Sequence, residues 1–189
     1  MAMAVWTRSR RWLAIAAGAM LLGLALALTA SWILRDTSPQ YSAQARTGAT
    51  ELRKLTLPDN STIAMNRDTA LAVTYFARRR HVALAHGEAF FHVRWQPRAA
   101  FEVGNGQDSV EIVGTRVQAP DILFDVRATP DALRVQVQSG SLKVRTATAG
   151  PREFVEMHAG DSLTLRRGLH QHELTRVDPA AVGSWLAGR

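Results

Sequence analysis

Arg134-Val135-Gln136-Val137-Gln138-Ser139-Gly140-Ser141-Leu142-Lys143-Val144 carries the pattern on which the fold turns. Val135 and Val137 alternate with polar residues, Gly140 follows three positions later, and Leu142 and Val144 resume the alternation. Successive side chains of a strand point to opposite faces, so a two-residue period marks a strand with one buried face. A glycine between two such runs marks a turn or sharp bend, because glycine alone reaches positive φ without steric cost. The arrangement recurs outward in both directions. It is found at Leu55, Leu57, Asn60 and Ile63, at Val82, Leu84, Gly87 and Ala89, and at Val155, Met157, Gly160, Leu163 and Leu165. A tighter variant occupies Val110, Ile112, Gly114, Thr115 and Val117. The chain beyond residue 47 is therefore expected to be all-β, built of short strand-turn-strand repeats. The turn residues stand at 60, 87, 114, 140 and 160. Such even spacing favours a solenoid-like stack of repeats, and a sandwich of successive hairpins is the alternative.

Upstream the period disappears. Trp12 to Leu34 is an uncharged run of 23 residues, which as a helix spans roughly 34 Å at about 1.5 Å per residue, enough to cross a bilayer. Arg8, Arg10 and Arg11 precede it and only Arg35 follows at once. The positive-inside rule then sets residues 1–11 as a short cytoplasmic tail and exports everything after the span. The expected location is the inner membrane, single-pass, with the N-terminus cytoplasmic and the C-terminal domain periplasmic. The run is longer than the apolar core of a cleaved leader, so it reads as an anchor. Residues 35–46 are polar, contain Pro39 and read as a linker; residues 47–176 form the β domain. At the far end Val177-Asp178-Pro179 has the cap and first-turn residues of a helix, so 177–189 reads as the start of a C-terminal helix. A helix that short does not hold itself together in water. Its Trp185 must bury its ring, which makes Trp185 the candidate partner-docking residue, with docking on its own domain as the alternative.

The formal charge is +7, but four of the 23 basic residues flank the apolar run. The remaining 19 face all 16 acidic groups, a net of only +3, so no nucleic-acid partner is expected. The absence of cysteine removes thiol catalysis, disulfide frameworks and cysteine zinc sites. Gly160-Asp161-Ser162-Leu163 spells the nucleophile block of a hydrolase family, yet it falls on a repeat turn and no Asp-x-x-His follows. A turn is the better reading, since a triad is defined by the geometry of roles. His170 and His172 offer two imidazoles on one strand face and no third metal ligand. Arg78-Arg79-Arg80 reads as a solvated loop or a contact to lipid headgroups, and Gly104-Asn105-Gly106 as a turn. No catalytic residue, cofactor or metal is expected; binding or relay is what remains.

At these same repeats the sequence resembles the FecR family. The matching stretches are Thr47-Gly48, Leu57-Pro58-Asp59-Asn60-Ser61-Thr62-Ile63, Arg80 with Leu84, Gly87-Glu88-Ala89-Phe90-Phe91-His92-Val93, Arg98 with Phe101-Glu102-Val103, Val113-Gly114-Thr115, Gly140-Ser141-Leu142-Lys143-Val144, Ala159-Gly160-Asp161 and Trp185-Leu186-Ala187-Gly188. These are scaffold motifs: Asp59, Asn60 and the glycines make turns, and Phe90, Val93, Phe101 and Val103 are expected in the core. The resemblance implies a membrane-anchored signal transducer that senses an outer-membrane TonB-dependent iron-siderophore receptor and controls an extracytoplasmic-function sigma factor. Residues 1–11 are too few for a folded sigma-binding domain. Contact with the sigma factor is therefore expected only through a domain or partner protein outside this chain. A structural periplasmic domain that binds envelope polymer or an assembly partner is the other reading.

Overall fold

The computed structural model describes residue 20 and residues 38–96, 99–106, 108–112, 121–145, 154–166 and 172–187. The chain divides into two units, residues 1–38 and 39–189. The membrane run at 12–34 lies outside the described residues except for Met20. Among the described residues no helix is long and apolar enough to cross a membrane.

The second unit is almost entirely strand, as the two-residue period requires. Its strands are β1 (Tyr41–Arg46), β2 (Arg53–Thr56), β3 (Thr62–Met65), β4 (Ala70–Tyr75), β5 (Arg79–Arg94), β6 (Ala100–Gly104) and β7 (Ser109–Ile112). They continue with β8 (Asp121–Ala128), β9 (Ala132–Ser139), β10 (Ser141–Arg145), β11 (Val155–His158), β12 (Asp161–Arg166) and β13 (His172–Arg176). Together they make one curled sheet of two ladders that share β5. The first ladder runs β1-β4-β5-β6-β7-β10-β11 and the second β2-β3-β5-β8-β9-β12-β13. The first half of β5 pairs with β4 and β6; the second half, from Gly87 to Arg94, pairs with β8 and β3. Among the described residues β5–β6 is the one parallel pairing. This is closer to the sandwich alternative than to a stack of repeats.

The repeated glycine has a role that differs from a hairpin turn. Gly87, Gly140 and Gly160 have φ of 95°, 88° and 85°, and each stands where the chain leaves one ladder for the other: within β5, between β9 and β10, and between β11 and β12. Asn60, at φ 63°, instead closes the plain β2–β3 hairpin. Gly114 and Thr115, between β7 and β8, lie outside the described residues. The crossing at Gly87 also admits no side chain, since a Cβ would come within 2.5 Å of the Thr69 Cα and 2.7 Å of the Asp68 carbonyl oxygen.

Both ladders bury their inner faces in one core. Phe91 from the second ladder stacks on Phe124 at 4.9 Å between centroids and meets Phe101 of the first edge-on at 6.2 Å. All four residues expected in the core are buried, though Phe90 lies in a second, smaller cluster on the other face of the sheet. Val93, Phe101 and Val103 are core residues, but Phe91 and not Phe90 points inward, because residues 90 and 93 have opposite parity on a strand. The linker also ends earlier than its polarity suggested. Tyr41–Arg46 forms β1, held to β4 with the Tyr41 ring edge-on to Tyr75 at 5.7 Å.

A buried polar knot fixes the β2–β3 hairpin to β4 and β5. Asp59 accepts from the Ser61 N–H (3.0 Å), the Ser61 hydroxyl (2.9 Å) and the Tyr75 hydroxyl (3.0 Å), and it ion-pairs with Arg80. Arg80, only 3% exposed, also donates to the carbonyls of Arg94 (3.1 Å) and Ala99 (2.7 Å). Its place in the core overturns the reading of that arginine as part of a solvated loop. Burial by itself raises the Asp59 pKa, but Arg80, Ser61 and Tyr75 outweigh it and hold the carboxyl below its ordinary value.

Candidate functional site

Because Ala89, Phe91 and Val93 face the core, Glu88, Phe90 and His92 project from the opposite face of β5. On β8, Leu123, Asp125 and Arg127 do the same. Cross-strand register then lines up Ala64, Phe90, Asp125, Gln136 and Ser162 across the outside of the second ladder. An apolar strip of Ala64, Phe90 and Leu123 here would meet water. Instead Val177, Val182, Trp185 and Leu186 pack on it as a second small core.

The covering segment has the expected cap but not the expected helix. Asp178 accepts from the Ala180 N–H at 2.9 Å with Pro179 in the first turn, yet the result is two short 3-10 turns, Pro179–Ala181 and Ser184–Ala187. Between them Gly183 sits at φ 72° directly over the Phe90 ring, where a Cβ would lie 2.5 Å from a ring carbon. An α-helix cannot run through that residue and still bring Val182 and Trp185 onto the strip. Gln138 Nε2 donates to the Val182 carbonyl at 3.0 Å and ties the segment to β9. Trp185 thus docks on its own domain, across β5 and β8.

The indole N–H of Trp185 donates to Asp125 Oδ2 at 3.0 Å. Asp125 is 2% exposed and lies beside Glu88, its diagonal neighbour across the β5–β8 pairing. Glu88 accepts from Asn66 Nδ2 at 2.7 Å and has Arg134 Nη2 at 3.5 Å. Burial first, and then the Glu88 charge, push the Asp125 carboxyl up to about 7, against an opposing pull from Trp185 and Arg134. A proton on Asp125 removes a buried negative charge that would otherwise stand beside a second carboxylate. On its other side Glu88 lines a polar groove of about 450 Å³ with Asn66, Asp68, His86 and Arg127.

The other singled-out residues are structural. Asp59 and Asn60 belong to the hairpin knot, and Gly87, Gly140 and Gly160 to the ladder crossings. Ser162 is buried and its hydroxyl accepts from Gln136 Nε2 at 3.3 Å, while neighbouring Asp161 pairs with Arg176 and accepts from the His158 N–H. That arrangement contains no imidazole base for the serine. His172 is exposed, His170 lies outside the described residues, and no group of three metal-ligating side chains occurs among the described residues. Asp125 was not anticipated. Its only trace is an acid in the outward phase of Ile122-Leu123-Phe124-Asp125-Val126, opposite Phe90.

The FecR family model, described as FecR protein, matches residues 43–161. No curated protein matches the sequence. Two crystal structures of a "putative anti-sigma factor" from Parabacteroides distasonis ATCC 8503, at 2.50 and 1.65 Å resolution, share the fold with a TM-score of 0.65 and 23% identity. The alignments cover 78% and 77% of this chain and 66% and 65% of theirs, so this chain spans just under two thirds of their length. At that identity the likeness is one of fold. The family match runs from within β1 to the start of β12 and takes in well over half of the sequence; the chain belongs to the FecR family.

Proposed function

We propose that the β domain is the extracytoplasmic half of a membrane-anchored sigma regulator, and that it works by protein contact and not by turnover. The observation that carries this is the family match over residues 43–161, on a fold shared with a protein described as an anti-sigma factor. In this reading Trp12 to Leu34 anchors the protein in the inner membrane, and the domain receives its signal from a TonB-dependent iron-siderophore receptor in the outer membrane. The signal reaches an extracytoplasmic-function sigma factor on the cytoplasmic side of the membrane.

The test is a strain deleted for this protein and carrying the cognate receptor and a sigma-dependent reporter. Restoring the full chain should restore receptor-dependent control, and Ser162→Ala should do so equally well. A reporter indifferent to the chain would leave the envelope-binding role as the function, and loss of control in a folded Ser162→Ala protein would point to hydrolysis. Alkaline phosphatase fused after Arg189 should be active; an expressed but inactive fusion would reverse the topology.

A further inference from the structure

We propose that the segment 177–187 is a proton-dependent clasp: it seats on the outer face of the second ladder over a protonated Asp125, and it lifts when that proton is lost. The segment lies beyond the family match, which ends at residue 161, and the proposal does not depend on the signalling role.

The geometry begins with what the segment covers. Without it, Phe90, Leu123 and Asp125 would stand on the open face of a sheet, and the Asp125 carboxylate would be hydrated. With it, Asp125 is 2% exposed and has the Trp185 N–H at 3.0 Å and the Glu88 carboxyl as its neighbours. The charged groups around Asp125 on each packed element can be named. β5 supplies Glu88, β8 supplies Arg127 two residues along, and β9 supplies Arg134, whose guanidinium lies 3.5 Å from Glu88. The segment itself brings the indole and no charge to this point. The one half-exposed guanidinium contacts Glu88, and a carboxylate as buried as Asp125 beside a second carboxylate is favoured in its protonated form.

Seating and protonation are therefore linked. Lifting the segment restores water to Asp125 and lets the proton go to solvent; seating takes a proton up. Asp125 moves from an ordinary aspartate value when lifted to about 7 when seated. Between those limits the seating constant falls by up to about tenfold per pH unit as pH rises, and above them it levels off. The hold on the other side is slight. The seated segment consists of two 3-10 turns with a backbone hydrogen bond from the Val177 N–H to the Gly160 carbonyl at 2.9 Å, one side-chain tie from Gln138 and a cluster of four apolar side chains. A change of tenfold or more in the seating constant is then enough to alter its population.

The test uses the full chain in detergent micelles with 5-fluorotryptophan in place of its five tryptophans. Trp185→Phe identifies the Trp185 fluorine signal. Between pH 5.5 and 8 that signal should move from a buried to a solvent-like shift, while the Trp95 signal stays put. Asp125→Asn keeps the acceptor for the indole and adds an amide donor toward Glu88, so it should hold the buried shift across the range. Glu88→Gln removes the like charge, so ionised Asp125 is better tolerated beneath the segment and the transition should shrink or move to higher pH. His92 lies on the same face, 3.0 Å from Asp121 though not aligned as a hydrogen bond. His92→Gln should leave the transition in place. A Trp185 signal constant with pH in the folded wild type would overturn the proposal. So would an unchanged transition in Asp125→Asn or its loss in His92→Gln. If Asp125→Asn does not fold, Glu88→Gln decides, and an unchanged transition there refutes the clasp.

Discussion

Asp59 and Arg80 show how far one side chain's surroundings can depart from what its neighbours in sequence suggest. Three consecutive arginines read as solvated, and Arg79 at the start of β5 is exposed, yet Arg80 points inward because strand parity alternates. No local signal separates the two; the partner, Asp59, lies 21 residues upstream. Removing that partner leaves a buried guanidinium uncompensated. Asp59→Ala is expected to cost about 3–5 kcal/mol, measured by urea denaturation. The knot also has a pH signature. The folded-state pKa of Asp59 is lowered, so its stabilisation is present above the unfolded value near 4 and is lost as pH falls through the folded value. Asp59→Asn should flatten the acid limb of the stability profile below pH 4 and leave the limb near neutrality unchanged. The crossing glycine makes a separate prediction. Gly87→Ala meets Thr69 backbone as well as an unfavourable φ, whereas Gly106, also at positive φ, has open space around its Cβ position. Thermal melts should show Gly87→Ala losing roughly 2–4 kcal/mol and Gly106→Ala about 1.

At the level of elements, the regular parts were legible and the exceptions have physical causes. Alternating Val135, Val137, Leu142 and Val144 mark β9 and β10 because they bury one face each. β1 escaped notice because after Tyr41 its inward positions are only alanines, Ala43 and Ala45, and its strand state comes from pairing with β4. Phe90-Phe91 cannot be phased from sequence, since either aromatic could face the core. The outer one was free to be apolar only because Val177 to Leu186, about ninety positions later, fold back over it. Phe91→Ala should cost about 3–5 kcal/mol, and Phe90→Ala distinctly less, because its cover can follow it. The C-terminal helix failed at Gly183, a residue whose close approach to Phe90 is a tertiary demand invisible in the capping motif. Gly183→Ala should therefore raise amide exchange across 177–187 while β5 and β8 keep their protection. Uniform loss of protection would mean that the segment is integral to the domain and not a separable cover.

For the whole molecule, the recurring glycine period was visible but its meaning was not. A turn inside a hairpin and a crossing between ladders need the same φ, and only long-range pairing distinguishes them. The family and the all-β class could be read from the motifs, whereas the buried pair of Asp125 and Glu88 could not, because it joins residues 37 apart through strand register. The two ladders share β5, so exchange protection should collapse in both together at one denaturant concentration; separate transitions would show that they are independent units. Strand order has a further consequence. Within each ladder the strands follow one another in the order of the chain, β1-β4-β5-β6-β7-β10-β11 and β2-β3-β5-β8-β9-β12-β13. No later strand has to be inserted between two earlier ones. Each new strand joins the growing rim that its predecessors leave open, so a chain delivered N-terminus first can be built up as it emerges, with β13 completing the last rim before residues 177–187 close over what is already in place.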